Sequence, residues 1–219
     1  MSDIIKTFQL APSDFGFLLN ECPACYYDKY VNRIFRPRYS MPAISTTIDG
    51  LMTSYYDNRS TKDISDTLQE GIITLGGIQV KSKPILCKEY NCNIVIGGKV
   101  DSLMMFSDGT FGVIDFKTTL PRKTTVDFYF PQLMSYSVAL EYNDPEITKN
   151  CKISKIGLCC FNPLSFDKTS GLLGSTEWIE IEKDKDRFKA MLLRIAKLLT
   201  SKEKPKSGEN CTFCQFKEQ

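Results

Sequence analysis

The stretch from Gly97 to Lys117 constrains this chain more than any other, because it dictates both a local fold and an electrostatic problem. Two apolar runs, Leu103 to Phe106 and Phe111 to Ile114, flank Ser107-Asp108-Gly109, the pattern of a β-hairpin. A three-residue loop with Gly109 in the left-handed position forms a type I turn and a G1 bulge, which pairs Phe106 with Thr110. Antiparallel pairing keeps the sum of partner numbers constant, so Asp101 falls opposite Asp115. Their Cβ atoms are then about 4.5–5.5 Å apart on one face. Lys117, two residues on, points to that same face.

Two carboxylates this close repel unless a cation lies between them, and one lysine at the edge only partly answers that. A divalent ion answers it fully. Asp101 and Asp115 are therefore expected to hold Mg²⁺ or Mn²⁺ through hard oxygen ligands, with water and phosphate oxygens completing the octahedron. Lys117 is expected to orient the attacking water or offset charge on a scissile phosphate. The plain alternative is a pair of strand-end caps beside a snorkelling lysine.

The 219 residues carry a net charge of +2, so any nucleic-acid surface must be local. They are long enough for one sizeable core, and the expectation is a single domain over residues 1–219. No apolar run nears the ~18 residues of a membrane span and Met1 to Lys6 lacks a signal-peptide core, which predicts an intracellular, cytoplasmic protein with no membrane partner. The absence of histidine removes His-based triads and HExxH zinc sites together. Nine cysteines in a reducing compartment argue for metal-binding thiolates rather than disulfides. Cys22-x-x-Cys25 and Cys211-x-x-Cys214 form a Cys₄ set split between the chain ends, which fits Zn²⁺ or an Fe–S cluster and would staple the two ends together.

Along the chain, Ser13 is placed as the N-cap of a first helix that breaks or restarts at Pro23. Lys29, Arg33, Arg36 and Arg38 interleave with tyrosines and Phe35, a pattern suited to gripping a single strand, or equally to a solvated helix face. A soft helix is expected over Ile44 to Leu68 and a strand over Ile78 to Cys87. Arg122 and Lys123 follow the hairpin at its active end, where a DNA backbone could pass, or form a plain basic loop. Thr124 to Tyr142 reads as a helix kinked near Pro131, with Gln132 and Tyr136 on one face. Lys152 to Phe161 is an interior strand, 163–175 a Gly/Ser-rich loop, and Glu177 to Ile181 a last strand. Asp184 or Asp186 caps a closing amphipathic helix.

Gly98-x-x-Asp101, Asp115-Phe116-Lys117 and Gln132-x-x-x-Tyr136, in that order, resemble three motifs of the PD-(D/E)XK nuclease superfamily, in its RecB-like branch. The terminal cysteines are similar to those of CRISPR-associated and phage exonucleases. The resemblance implies an α/β, restriction-endonuclease-like mixed central sheet flanked by helices and closed by the Cys₄ staple. It further implies a metal-dependent DNase, an exonuclease on ends or single strands with a place in DNA repair or recombination, and a [4Fe–4S] cluster. Gln132 and Tyr136 would support substrate. Relatives divide the cysteines one and three rather than two and two, and often place a metal-binding His four residues after a helical Gly. Here that position is Ser54, and Asp57 and Glu70 stand as substitutes. The same fold with an incomplete metal shell would instead be a DNA-binding module that does not cut.

Overall fold

The computed structural model describes residues 5–37, 42–74, 76–120, 122–144 and 151–217. Two mixed sheets share one continuous bend. In the first, β5 (Cys92–Val100) runs parallel to β1 (Lys6–Leu10) and antiparallel to β3 (Ile78–Lys81) and β4 (Ile85–Cys87). The second has the order β2-β6-β7-β8-β9, built from Gly71–Thr74, Ser102–Phe106, Phe111–Thr118, Ile153–Asp167 and Gly171–Glu180. Within it β7 and β8 are parallel and the other pairs antiparallel. Asp101 is the single residue between β5 and β6, so it sits at the corner where one sheet becomes the other.

That corner has a steric cause. Gly76 lies against the Asp101 carbonyl so closely that an added Cβ would fall 0.9 Å from the oxygen, and Gly77 N–H donates to Val100 O at 2.8 Å. Only a residue without a side chain permits that approach. The hairpin itself forms with the expected register: Ser102 pairs with Ile114 and Met105 with Phe111. Phe106 N–H donates to Thr110 O and Gly109 takes φ +79°.

Alternation along β7 sends its side chains to two different layers. Ile114 and Phe116 face α4 (Ala43–Tyr56), where Ile48, Met52 and Tyr56 pack on them together with Met104 and Phe106. Val113, and with it Asp115 and Lys117, faces the other side, which is covered by α5 (Lys123–Glu141) through Leu133, Tyr136 and Leu140. α5 continues through Pro131 as one helix; Ser135 Oγ donates to the Pro131 carbonyl at 2.7 Å. α6 (Lys185–Thr200) closes the first sheet with Phe188, Leu192 and Ile195, capped by Asp184, whose carboxylate accepts from Arg187 N–H.

Several local expectations are corrected. Pro12 opens α1 (Pro12–Gly16) with Ala11 as N-cap, so Ser13 is already inside the helix. Strands β1 and β2 arise in stretches where no strand was expected, because their pairing with β5 and β6 supplies burial that local pattern does not show. The helix from 44 stops at Tyr56, and the loop expected over 163–175 is largely an extension of β8 and β9.

Two glycines give a direct test of this packing. Gly76→Ala must displace the β5–β6 corner and is expected to cost ~2 kcal/mol or more, while Gly50→Ala, on an open face of α4, should stabilise by ~0.5–1 kcal/mol. Urea melts of the two variants check both signs.

Candidate active site

The expected pair comes together. Asp115 is buried at 2% exposure, while the Asp101 side chain stays 40% exposed at the corner, and the two acids share Lys117. Lys117 Nζ stands 2.7 Å from Asp115 Oδ2 and 3.9 Å from Asp101 Oδ2, and donates to the Phe116 carbonyl at 2.9 Å. Apart from that ammonium, Asp115 Oδ2 has no polar partner among the described residues. Burial pushes the Asp115 carboxyl up to about 8; Lys117 pulls it back and Asp101 raises it further. Burial alone would lower the Lys117 ammonium, yet the two acids hold it above the ordinary lysine range.

From α5, Gln132 and Tyr136 present one buried face to this pair. Burial and both acids raise the titration of the Tyr136 phenol, while Gln132 on the same face and Lys117 pull it back. Tyr129, one turn earlier on the same helix, places its ring 5.6 Å from Lys117 Nζ. It was not singled out from sequence, although 129, 132 and 136 share the i, i+3, i+7 spacing of one helical face.

Asp49 is the more informative omission. It lies on α4, on the opposite layer from α5, and reaches round the end of β7, where Thr118 Oγ1 donates to its Oδ1 at 3.1 Å. Burial raises its carboxyl; Lys117 lowers it and Asp101 raises it, which places its charge within reach of the pair. The available signal was an acid beside the buried stripe Ile48, Met52, Tyr56, where an unpaired carboxylate is costly. Ser54 points away from that stripe into solvent, Asp57 ends α4, and Glu70 lies beside Ser107 at the turn end of the hairpin, the far end of β6.

The basic residues are dispersed. Arg36 donates to Glu21 at 2.7 Å and to Cys211 Sγ at 2.8 Å, and Lys29 pairs with Asp14. Arg33 stays exposed beside a shallow cavity of about 300 Å³ lined also by Lys29, Phe35 and Gly97. Arg122 is exposed ahead of α5, Lys123 opens that helix, and Arg38 lies outside the described residues.

The four cysteines converge. Cys22 is extended between α2 (Leu18–Glu21) and α3 (Pro23–Tyr27), Cys25 follows within α3, Cys211 precedes α7 (Thr212–Lys217) and Cys214 lies on it. All four are buried with their sulfurs within 4.8 Å of one another. The closest pairs are Cys25–Cys214 at 3.4 Å, and Cys22–Cys214 and Cys25–Cys211 at 3.7 Å. Gly208 N–H donates to Cys22 Sγ at 3.2 Å. Burial opposes charge on Cys22, yet backbone donors bring that thiol down to about 6, whereas burial drives Cys25 and Cys214 up. Stable thiolates at all four positions therefore need a cation.

The model of the PD-(D/E)XK nuclease superfamily matches residues 59–219, and the chain belongs to that superfamily. The solved "Crystal structure of SSO0001" is similar over 96% of this chain and 84% of that chain, at 13% identity and a TM-score of 0.49. No curated protein matches. Among the described residues, no helix is long and apolar enough to cross a membrane.

The buried acid makes a pH prediction. The folded carboxyl of Asp115 titrates near 8 and the unfolded one near ~4, so the metal-free fold binds the extra proton between those values. Its stability should fall as pH climbs through that window and level off above it. Calorimetry in EDTA should show a melting temperature that declines from pH 5 to 8 in the wild type and a flatter profile in Asp115→Asn; parallel profiles would refute the assignment.

Proposed function

We propose that the protein is a Mg²⁺- or Mn²⁺-dependent deoxyribonuclease of the RecB-like branch, an exonuclease working on DNA ends or single strands. The observation that carries this reading is Asp115, a buried carboxylate with one oxygen facing only Lys117, which it shares with a second acid at the β5–β6 corner. That donor set suits a hard divalent ion, which when bound would polarise the scissile phosphate and lower the pKa of a water. Asp101 and Asp115 would hold it. Asp49 would join through water, since the three carboxylates do not converge as tightly as the cysteines do.

The protein's own groups then divide the work. Lys117, kept protonated by its acids, orients the attacking water or meets charge developing on the phosphate. The Gln132 amide and Tyr136 phenol fix the substrate backbone from the α5 side, with Tyr129 confining Lys117. Asp115→Ala is expected to lower Mn²⁺-dependent cleavage of labelled DNA by at least 10³-fold and Asp49→Ala by about 10²-fold, without loss of the folded state. Full activity in Asp115→Ala would overturn the reading, and tight DNA binding without cleavage by the wild type would favour the non-cutting module instead.

For the thiolate centre we propose a single tetrahedral ion, zinc. A Zn–S bond of ~2.3 Å implies sulfur–sulfur edges of about 3.8 Å, close to the 3.4–3.7 Å of the nearest pairs. In a [4Fe–4S] cluster iron and sulfide corners separate the ligating thiolates further. Elemental analysis and an absorbance spectrum of anaerobically purified protein should give one zinc and no visible band; four irons with a broad band near the visible edge would establish the cluster.

A further inference from the structure

Beyond Thr118 the sheet does not end. β7 stops pairing at Thr118↔Phe161, one residue after Lys117↔Cys160, but β8 runs on to Asp167 and β9 returns from Gly171. Six further residues of extended strand carry this arm roughly 20 Å past the end of the strand that bears Asp115 and Lys117.

The arm is built at both ends. At its base Tyr56 OH and Thr176 Oγ1 lie 3.1 Å apart, and the Phe161 ring covers Gly174. At its tip Asp167 accepts from Thr169 and Ser170 N–H at 2.8 and 2.7 Å, and Gly171 takes φ +72°. Yet its apolar side chains face solvent: Leu164 is 65% and Phe166 77% exposed, with Leu172 directly across from Phe166. A folded ribbon that exposes a ring and several leucines gains nothing for the core and marks a contact surface.

From Asn162 to Ser175 the charged residues are Asp167 and Lys168, which cancel. The tip is therefore unsuited to tracking phosphates. The uncharged, flat components of a nucleic acid are its bases, and the arm rises from the lip of the acid pair where those bases would arrive. Resting on the nuclease reading above, we propose that the β8–β9 arm is a wedge: Phe166 with Leu164 and Leu172 stacks on the bases at a frayed duplex end and separates the strands, so that one descends to Asp101 and Asp115.

The test uses a forked DNA duplex with 2-aminopurine at the junction, first in EDTA so that no cleavage is required. Wild-type protein should raise the junction emission at least twofold. The double variant Leu164→Ser/Phe166→Ser should lose most of that rise, and Phe166→Trp, which keeps a flat ring, should retain it. With Mn²⁺, cleavage of the fork should drop tenfold or more in the double variant and cleavage of a single-stranded oligonucleotide less than threefold. Equal junction signals in wild type and double variant would overturn the wedge. So would a wild-type dimer, seen by sedimentation, that the double variant dissolves, since a second copy would then be the occupant. If the junction opens as expected while no DNA is cleaved with any metal, the nuclease reading falls and the wedge stands.

Discussion

A carboxylate taken out of water, facing a lysine that it shares with a second carboxylate, is the constraint on which the rest of this molecule depends. Asp115 gains nothing for stability from its position, since burial and Asp101 both push it towards the neutral acid and Lys117 offsets only part of that. The fold tolerates it because the neighbours are fixed. Val113, Ile114 and Phe116 on the same strand are fully buried on two faces, and those contacts lock the strand that carries the acid. The cost falls on β7, the strand best supported by packing on both sides.

That support also explains how the site is assembled. α5 covers the face that bears Asp115 and Lys117, and α4 covers the opposite face. Both helices reach the end of β7, so one contributes Tyr129, Gln132 and Tyr136 from above while the other brings Asp49 round the edge through Thr118. Asp101 enters from a third direction, from the corner that Gly76 makes possible. The pocket therefore depends on the tertiary fit of the whole.

The hairpin and its two acids were legible in sequence because their geometry is local: an Asp-Gly turn, a bulge and a period of two determine which residues face each other. The helix face of Gln132 and Tyr136 was legible for the same reason, with a period of 3.6. The cysteines were legible by spacing, though four sulfurs converging within 4.8 Å is a matter of tertiary structure. Asp49 was not, because its partner Thr118 is 69 residues away and no local periodicity links a helix on one face of a sheet to a lysine on the other. Ser54, Asp57 and Glu70 were considered only by analogy with a pattern this chain does not follow. Strand β1 was missed because Lys6 to Leu10 becomes a strand only through its parallel register with β5. The 163–175 segment was misread as a loop for a related reason: its glycines and serines are tolerated in a two-stranded ribbon whose partner residues are each other.

The charge distribution bears on how such a protein would hold a polyanion. Of the basic residues near the chain's start, Lys29 is matched with Asp14 and Arg36 with Glu21 and Cys211, and further along Lys155 pairs with Glu180 and Lys183 with Glu141. Ion pairs already made inside the protein have little left to offer phosphates, and counterion release, the usual source of sequence-independent affinity, is correspondingly small at a net charge of +2. Affinity for nucleic acid must then come from elsewhere: from a cation held by the acid pair, and from apolar contact with bases. The first is localised where Asp101 and Asp115 meet. On the proposed reading the second has a place in the exposed Phe166 ring and the leucines that the β8–β9 arm carries beyond that point, and the arm and the acid pair then act as two halves of one binding surface.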